Sequence, residues 1–282
     1  MFYVSTTFIK DNKSVYGAIN KLLKIKIKNI ELGSNHIWEK KLKFKKKRII
    51  NFCVHNYFPV PKKSMVLNLA SQNLKIREKS IKRIKNSILF SKKISAKLYT
   101  FHPGFLTDPE GSNISKKNYD FLWNNKKLIN ANYDRSWKKM IQSLKEIVKF
   151  AKYHKVKIAI ETEGSISARN HLLMQKPIEF KKLFKHFKKE DLGVNLNIGH
   201  LNLASKAFKF NKFKFIKTIQ KYIKAMEISH NYGKNDDHLP IKKRSWYWKI
   251  IKDQKYDKIP KILEFRNTDI NQIKKVYEML NK

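Results

Sequence analysis

Lys157-Ile158-Ala159-Ile160-Glu161-Thr162-Glu163-Gly164 is an apolar run too short for a helix, and it stops abruptly on acid. Three apolar residues between a lysine and a carboxylate describe a strand covered on both faces, and the glycine beyond marks a turn. Longer segments flank it, Trp137–His154 and Lys176–Lys188, in which apolar residues recur at helical spacing with lysine on the opposite face. The local unit is helix, buried strand, helix.

The same unit recurs along the chain. Strands are expected at Phe2–Thr6, Lys28–Leu32, Ile49–Val54, Lys97–Phe101, Lys157–Ile160, Leu192–Leu196, Ala225–Ser229 and Lys261–Phe265, and further helices at Asn73–Lys93, Lys212–Lys221 and Ile270–Asn281. Strands alternating with helices predict a parallel sheet with right-handed crossovers. No G-x-G-x-x-G loop follows the first strand, so a closed (β/α)₈ barrel is favoured over an open nucleotide-binding sheet. The 282 residues match one such barrel, which uses roughly 250, as a single α/β domain. Of the eight glycines, Gly33, Gly104, Gly164, Gly199 and Gly233 fall just after expected strands, where a barrel carries its active-site loops.

The formal net charge is +41, which alone would point to a polyanionic partner. Only seven of the 63 basic side chains are arginine, the residue suited to bidentate phosphate contacts. The lysines are spread along the whole chain among many Ile and Asn, as a compositional bias with solvated helix faces would leave them. Cys53 is the single cysteine; it excludes an intrachain disulfide, fits a reducing compartment and sits in an apolar run as a small core residue. The apolar start, Met1–Phe8, lacks the basic leader and length of a signal peptide. No stretch approaches the ~18 apolar residues of a membrane span, so a soluble cytoplasmic protein is expected.

The ends of the strands carry the chemistry. They read Glu31, His55, His102, Glu161, Asn197, Glu227 with His230, and Glu264. Carboxylates inside a barrel cost several kcal/mol each unless paired or bound to a cation, so a divalent ion at the C-terminal mouth is expected. Glu161 and Glu264 directly follow apolar strands and should point into the mouth. Glu31 reads equally as a rim carboxylate paired with lysine, and His154, His171 and His186 as surface residues of helices or loops.

Six blocks together make the chain resemble the xylose isomerase-like barrel superfamily, which includes sugar isomerases, epimerases and endonuclease IV enzymes. They are Val54-His55-Asn56-Tyr57, Phe101-His102-Pro103-Gly104, Ile160-Glu161-Thr162-Glu163-Gly164, Asn197-Ile198-Gly199-His200, Asp236-Asp237-His238-Leu239-Pro240 and Leu263-Glu264. The resemblance implies one divalent metal ion (Mg, Mn or Zn) held at Glu161, Asn197, Glu227 and Glu264. Two positions depart from the family's Glu, Asp, His, Glu pattern: Asn197 stands for Asp and Glu227 for His. The formal charge is unchanged, and the all-oxygen shell shifts preference toward Mg or Mn. A shift in alignment would bring His230 in as a ligand. His55, His102, His200, Asp237 and His238 match the additional ligands of the endonuclease IV enzymes, or would bind substrate hydroxyls, and Lys234 would meet an anionic substituent.

These residues lead to isomerisation or epimerisation of a small sugar or sugar derivative, phosphorylated or not, with Glu161 and Glu264 as acid and base. The alternative is zinc-dependent phosphodiester hydrolysis in DNA repair, the one reading that calls for nucleic acid. A second alternative is a non-catalytic sugar-binding barrel. No residue run encodes the sugar or the oligomeric state.

Overall fold

The structure, a computed structural model, describes residues 1–9, 13–42, 44, 50–112 and 121–281. Eight parallel strands close into a barrel: β1 (Phe2–Ser5), β2 (Asn29–Leu32), β3 (Asn51–His55), β4 (Tyr99–Phe101), β7 (Ile158–Glu161), β8 (Gly193–Asn197), β9 (Ile223–Ile228) and β10 (Lys261–Leu263), each paired with its chain neighbour and β10 with β1. All eight expected strands are present within a few residues of their expected bounds; Ile49, expected to open the third, lies outside the described residues. A two-stranded antiparallel sheet, β5 (Gly111–Ser112) and β6 (Phe121–Leu122), lies within the crossover from β4 to β7 and was not expected.

The connecting helices are α1 (Val15–Lys24), α2 (Leu74–Lys93), α3 (Tyr133–Tyr153), α4 (Pro177–Leu183), α5 (Ile198–Ala207), α6 (Lys212–Ile219), α7 (Trp248–Ile251) and α8 (Ile270–Asn281). Polar side chains start most of them. Ser14, Asn73, Asn132, Asn197 and Asn211 each accept a hydrogen bond from a first-turn N–H, satisfying donors that have no partner within the helix.

Alternation along the strands separates two environments. One parity, including Val4, Ile30, Leu32, Val54, Ile160, Val194, Leu196 and Ile228, joins the large apolar cluster between sheet and helices. The other parity fills the barrel. At its base Tyr3, Cys53, Leu98, Ala159, Ala225 and Ile262 form a separate buried cluster, so Cys53 is the small core residue its surroundings predicted. Two residues further along each strand, the same inward face presents Ser5, His55, Glu161, Asn197, Glu227 and Glu264, all buried. An apolar plug therefore lies beneath a polar layer at the C-terminal mouth.

Candidate functional site

Glu161, at the end of β7, is the hub of the mouth. It is 1% exposed. Its Oε1 accepts from Asn197 Nδ2 at 2.9 Å and lies 3.1 Å from His200 Nδ1. Its Oε2 has no hydrogen-bond partner, yet His55 Nε2 and His102 Nε2 each stand 3.7 Å from it. That separation is too long for a hydrogen bond. It matches the edge of a coordination sphere, because bonds of about 2.0–2.2 Å set tetrahedral ligands roughly 3.4 Å apart. His55, His102 and Glu161 thus surround a point that a divalent ion fits.

The partners of these imidazoles fix their roles. Burial holds His55 below its ordinary pKa, so it is neutral with a lone pair to offer. His102 is oriented by Glu163, whose Oε1 lies 2.5 Å from its Nδ1, the arrangement that aims the other ring nitrogen of a metal-binding histidine. Burial alone would lower His102, but Glu163 and Glu161 raise it to about 9. Burial would likewise raise Glu161, but His102, His200 and His55 hold it well below the usual carboxylate range.

A second group stands on the other side of Glu161. His200, in the first turn of α5, has Nε2 3.5 Å from Asp236 Oδ2, and His238 has Nε2 2.8 Å from the same oxygen. His238 Nδ1 lies 3.2 Å from Glu264 Oε2. Against burial, Asp236 and Glu161 raise His200 well above its ordinary pKa, Glu264 and Asp236 raise His238 to about 9, and His238 lowers Glu264 to about 2. Asp236 Oδ1 has no hydrogen-bond partner, and His200, Asp236 and His238 again converge within coordination reach.

The central positions are engaged differently. Asn197 caps α5, its Oδ1 accepting from His200 N at 3.0 Å, and its amide donates to Glu161 Oε1 at 2.9 Å and Glu227 Oε2 at 3.1 Å. An amide NH₂ thus bridges two carboxylates where a cation was expected. Glu227 also accepts from Asn195 at 2.8 Å, and burial with the nearby Glu161, Glu264 and Glu31 charges raises it well above the carboxylate range.

A cavity of about 370 Å³ opens above these groups, floored by His55, Glu161 and Glu264 and walled by Phe105, Trp123 and Leu172. Arg266 is the single Lys or Arg among the described residues lining it. Trp123 packs at 4.7 Å from the Phe105 ring and 4.6 Å from His171, so His171 is a buried buttress of the wall rather than a surface residue.

The structure therefore brings His55, His102, Glu161, His200, His238 and Glu264 to one cavity, with Asn197 and Glu227 just beneath it. Three candidates lie elsewhere. His230 faces Tyr247 at 3.1 Å, Lys234 is exposed, and Asp237 lies outside the cavity lining that contains Asp236. Sequence reasoning missed Asp236, Glu163, Arg266 and the true position of Glu31. The D-x-H spacing of Asp236 and His238 and the E-x-E spacing of Glu161 and Glu163 were available signals. Glu31 is no rim residue paired with lysine: it is fully buried.

Fold and site define a (β/α)₈ barrel with metal-donor side chains gathered at the C-terminal ends of its strands. The family model described as xylose isomerase-like TIM barrel matches residues 33–282, and the chain belongs to that family. Over 180 residues it is 25% identical to the uncharacterized protein MJ1311 of Methanocaldococcus jannaschii, covering 62% of this chain and 52% of that one, so the chain spans about half the length of that relative. In solved structures, a D-tagatose 3-epimerase-like protein superimposes with TM-score 0.70 at 20% identity over 99% of this chain and 95% of its own. D-psicose 3-epimerase of Clostridium cellulolyticum H10, solved with D-tagatose, gives 0.66 at 13% identity over 99% and 98%. No helix among the described residues is long and apolar enough to cross a membrane.

Proposed function

We propose that this chain is a divalent-metal-dependent isomerase or epimerase of a sugar or sugar derivative, with Glu161 and Glu264 moving the proton. The observation that carries this reading is that both carboxylates, from strands β7 and β10, face one cavity of about 370 Å³ with an aromatic wall. That volume suits a small polar molecule, and Phe105 and Trp123 offer faces on which a sugar ring stacks. The structural likeness to a D-tagatose 3-epimerase-like protein and to D-psicose 3-epimerase supports the same substrate class.

His55, His102 and Glu161 would hold the ion; the partnerless Glu161 Oε2 between two imidazole nitrogens is the fit. The ion would supply Lewis-acid polarisation of a substrate carbonyl. Glu264, kept ionised by His238, accepts the proton from the carbon beside that carbonyl. Glu161 stands across the mouth as its counterpart on the opposite face of the substrate. Arg266 and His200 orient substrate oxygens, and the aromatic wall keeps water from the reacting carbon.

Glu161→Gln and Glu264→Gln are each expected to lower turnover at least about 10²-fold, the scale of a lost acid or base. The assay presents a panel of ketoses to metal-loaded protein in D₂O and follows deuterium entering beside the carbonyl. Conversion without exchange would remove the base roles. The pair of histidine and carboxylate groups flanking Glu161 favours a second reading, phosphodiester hydrolysis, since two or more ions clamp the attacking and leaving oxygens. Nicking of abasic DNA that depends on Glu161 and Glu264, with no sugar converted, would put that reading first.

A further inference from the structure

We propose that Glu31, His55 and Glu227 form a second divalent-cation site, one side-chain layer below the cavity. Glu31 lies within β2 between Ile30 and Leu32. Those two residues belong to the outer apolar core, so strand alternation turns Glu31 inward. Its register partners are Ser5 on β1 and Cys53 on β3, which set it between the apolar plug and the polar mouth. It is 0% exposed and neither carboxylate oxygen meets a hydrogen-bond partner at ordinary geometry, although the Ser5 hydroxyl stands close by.

A buried carboxylate left this way costs several kcal/mol, and its surroundings offer the remedy. Ligand atoms of Glu31, His55 and Glu227 lie within 4.8 Å of one another, and all three residues are buried. An ion with bonds of roughly 2.1–2.4 Å separates its ligands by about 3–4.7 Å, so small side-chain movements complete the sphere. Asn195 would add a fourth ligand: its amide nitrogen holds Glu227 at 2.8 Å while its Oδ1 has no partner. His55 serves both levels, and with both ions bound it would release its ring proton to solvent and bridge them as an imidazolate. Its Nε2 faces Glu161, and its Nδ1 lies 3.3 Å from Glu227 Oε1 and 2.9 Å from Thr100 Oγ1. Two carboxylates, a carbonyl oxygen and one imidazole make a hard donor set that favours Mn or Mg over soft ions. The ion would be structural, tying β2, β3 and β9 together beneath the reacting centre.

The site stands on the geometry of the barrel interior, whatever reaction occurs above it. The experiment titrates metal-free, full-length protein with Mn²⁺ and measures bound metal per chain after gel filtration, for the wild type, Glu31→Gln and His102→Asn. Wild type is expected to bind one equivalent more than Glu31→Gln, while Glu31→Gln keeps the equivalent that His102→Asn loses. Equal uptake by wild type and Glu31→Gln, with an infrared band of a protonated carboxylic acid that vanishes in the variant, would mean that Glu31 holds a proton, and would overturn the proposal. Equal uptake by wild type and His102→Asn would instead remove the metal from the cavity reading and leave the deep site standing. Should Glu31→Gln fail to fold, Glu31→Asp retains the charge on a shorter stem and is expected to weaken one equivalent at least about tenfold. Unchanged affinity there also overturns the site.

Discussion

Asn197 concentrates what is unusual about this mouth. Its oxygen caps α5 and its two amide hydrogens go to Glu161 and Glu227, so one neutral side chain joins the ionised Glu161 to Glu227, whose carboxyl group burial pushes toward its neutral form. Aspartate caps a helix as well as asparagine does, which makes Asn197→Asp a test of the bridge rather than of the cap. The substitution replaces two donors with a third carboxylate. In metal-free protein it is expected to cost about 3–5 kcal/mol, the scale of an uncompensated buried charge. Added Mn²⁺ should then stabilise the variant more than the wild type, because the pocket has become a carboxylate cage. Thermal unfolding with chelator and with Mn²⁺ measures both. A variant as stable as wild type in chelator, with no larger metal response, would show that the amide bridge carries no weight.

The elements that present the site meet at very close range. A Cβ on Gly164, in the loop after β7, would come 2.1 Å from the His200 carbonyl oxygen and 2.5 Å from its Cα. Both are backbone atoms that cannot swing aside, so only glycine lets this loop rest on the first turn of α5. Gly164→Ala is expected to destabilise by about 1–3 kcal/mol and to displace His200, weakening metal uptake as well. An unchanged denaturation midpoint with unchanged uptake would contradict that packing. The same junction marks the limit of what the sequence disclosed. Buried apolar strands ending in acids were legible, and the eight barrel strands followed from them. Helix α5 was not, because Asn197-Ile198-Gly199-His200 reads as a strand end running into a loop, and a glycine inside the first turn lowers helix propensity. Asp237 enters only through its match to the endonuclease IV pattern, whereas Asp236, at i, i+2 from His238, is the carboxylate whose side chain reaches it, at 2.8 Å. Glu31 was assigned to the rim although Ile30 and Leu32 bracket it, and that bracket is the mark of an inward-facing residue.

At the scale of the whole molecule, charge is divided between two places. Glu31, Glu161, Glu163, Glu227 and Glu264 are buried in or beneath the mouth and Asp236 lines it half-buried, so six of the 22 acidic side chains are gathered in this one region. Pairs such as Lys85–Glu146 at 2.6 Å and Lys152–Asp191 at 2.8 Å exist, but 63 basic groups far outnumber the acids left to meet them. Lys261 is the one lysine buried among the described residues, paired with Asp257 beneath the barrel; most of the excess faces solvent and repels itself. Such repulsion acts over about 30 Å at 0.01 M salt and about 8 Å at 0.15 M. Raising NaCl across that range is therefore expected to raise the unfolding temperature by about 2–3 °C, the shift that roughly 1–2 kcal/mol produces in a chain of this size. Most globular proteins near neutrality respond little over the same range, which makes the sign informative. Sodium chloride and sodium sulfate at equal ionic strength separate screening from binding. Equal shifts mean that the lysines act as a diffuse charge, in keeping with a cavity whose described lining holds one arginine and no lysine. A much larger shift in sulfate, joined by duplex DNA binding that falls steeply with salt, would mean that the lysines converge on a polyanion, and phosphodiester chemistry would then displace sugar isomerisation as the reading of the mouth.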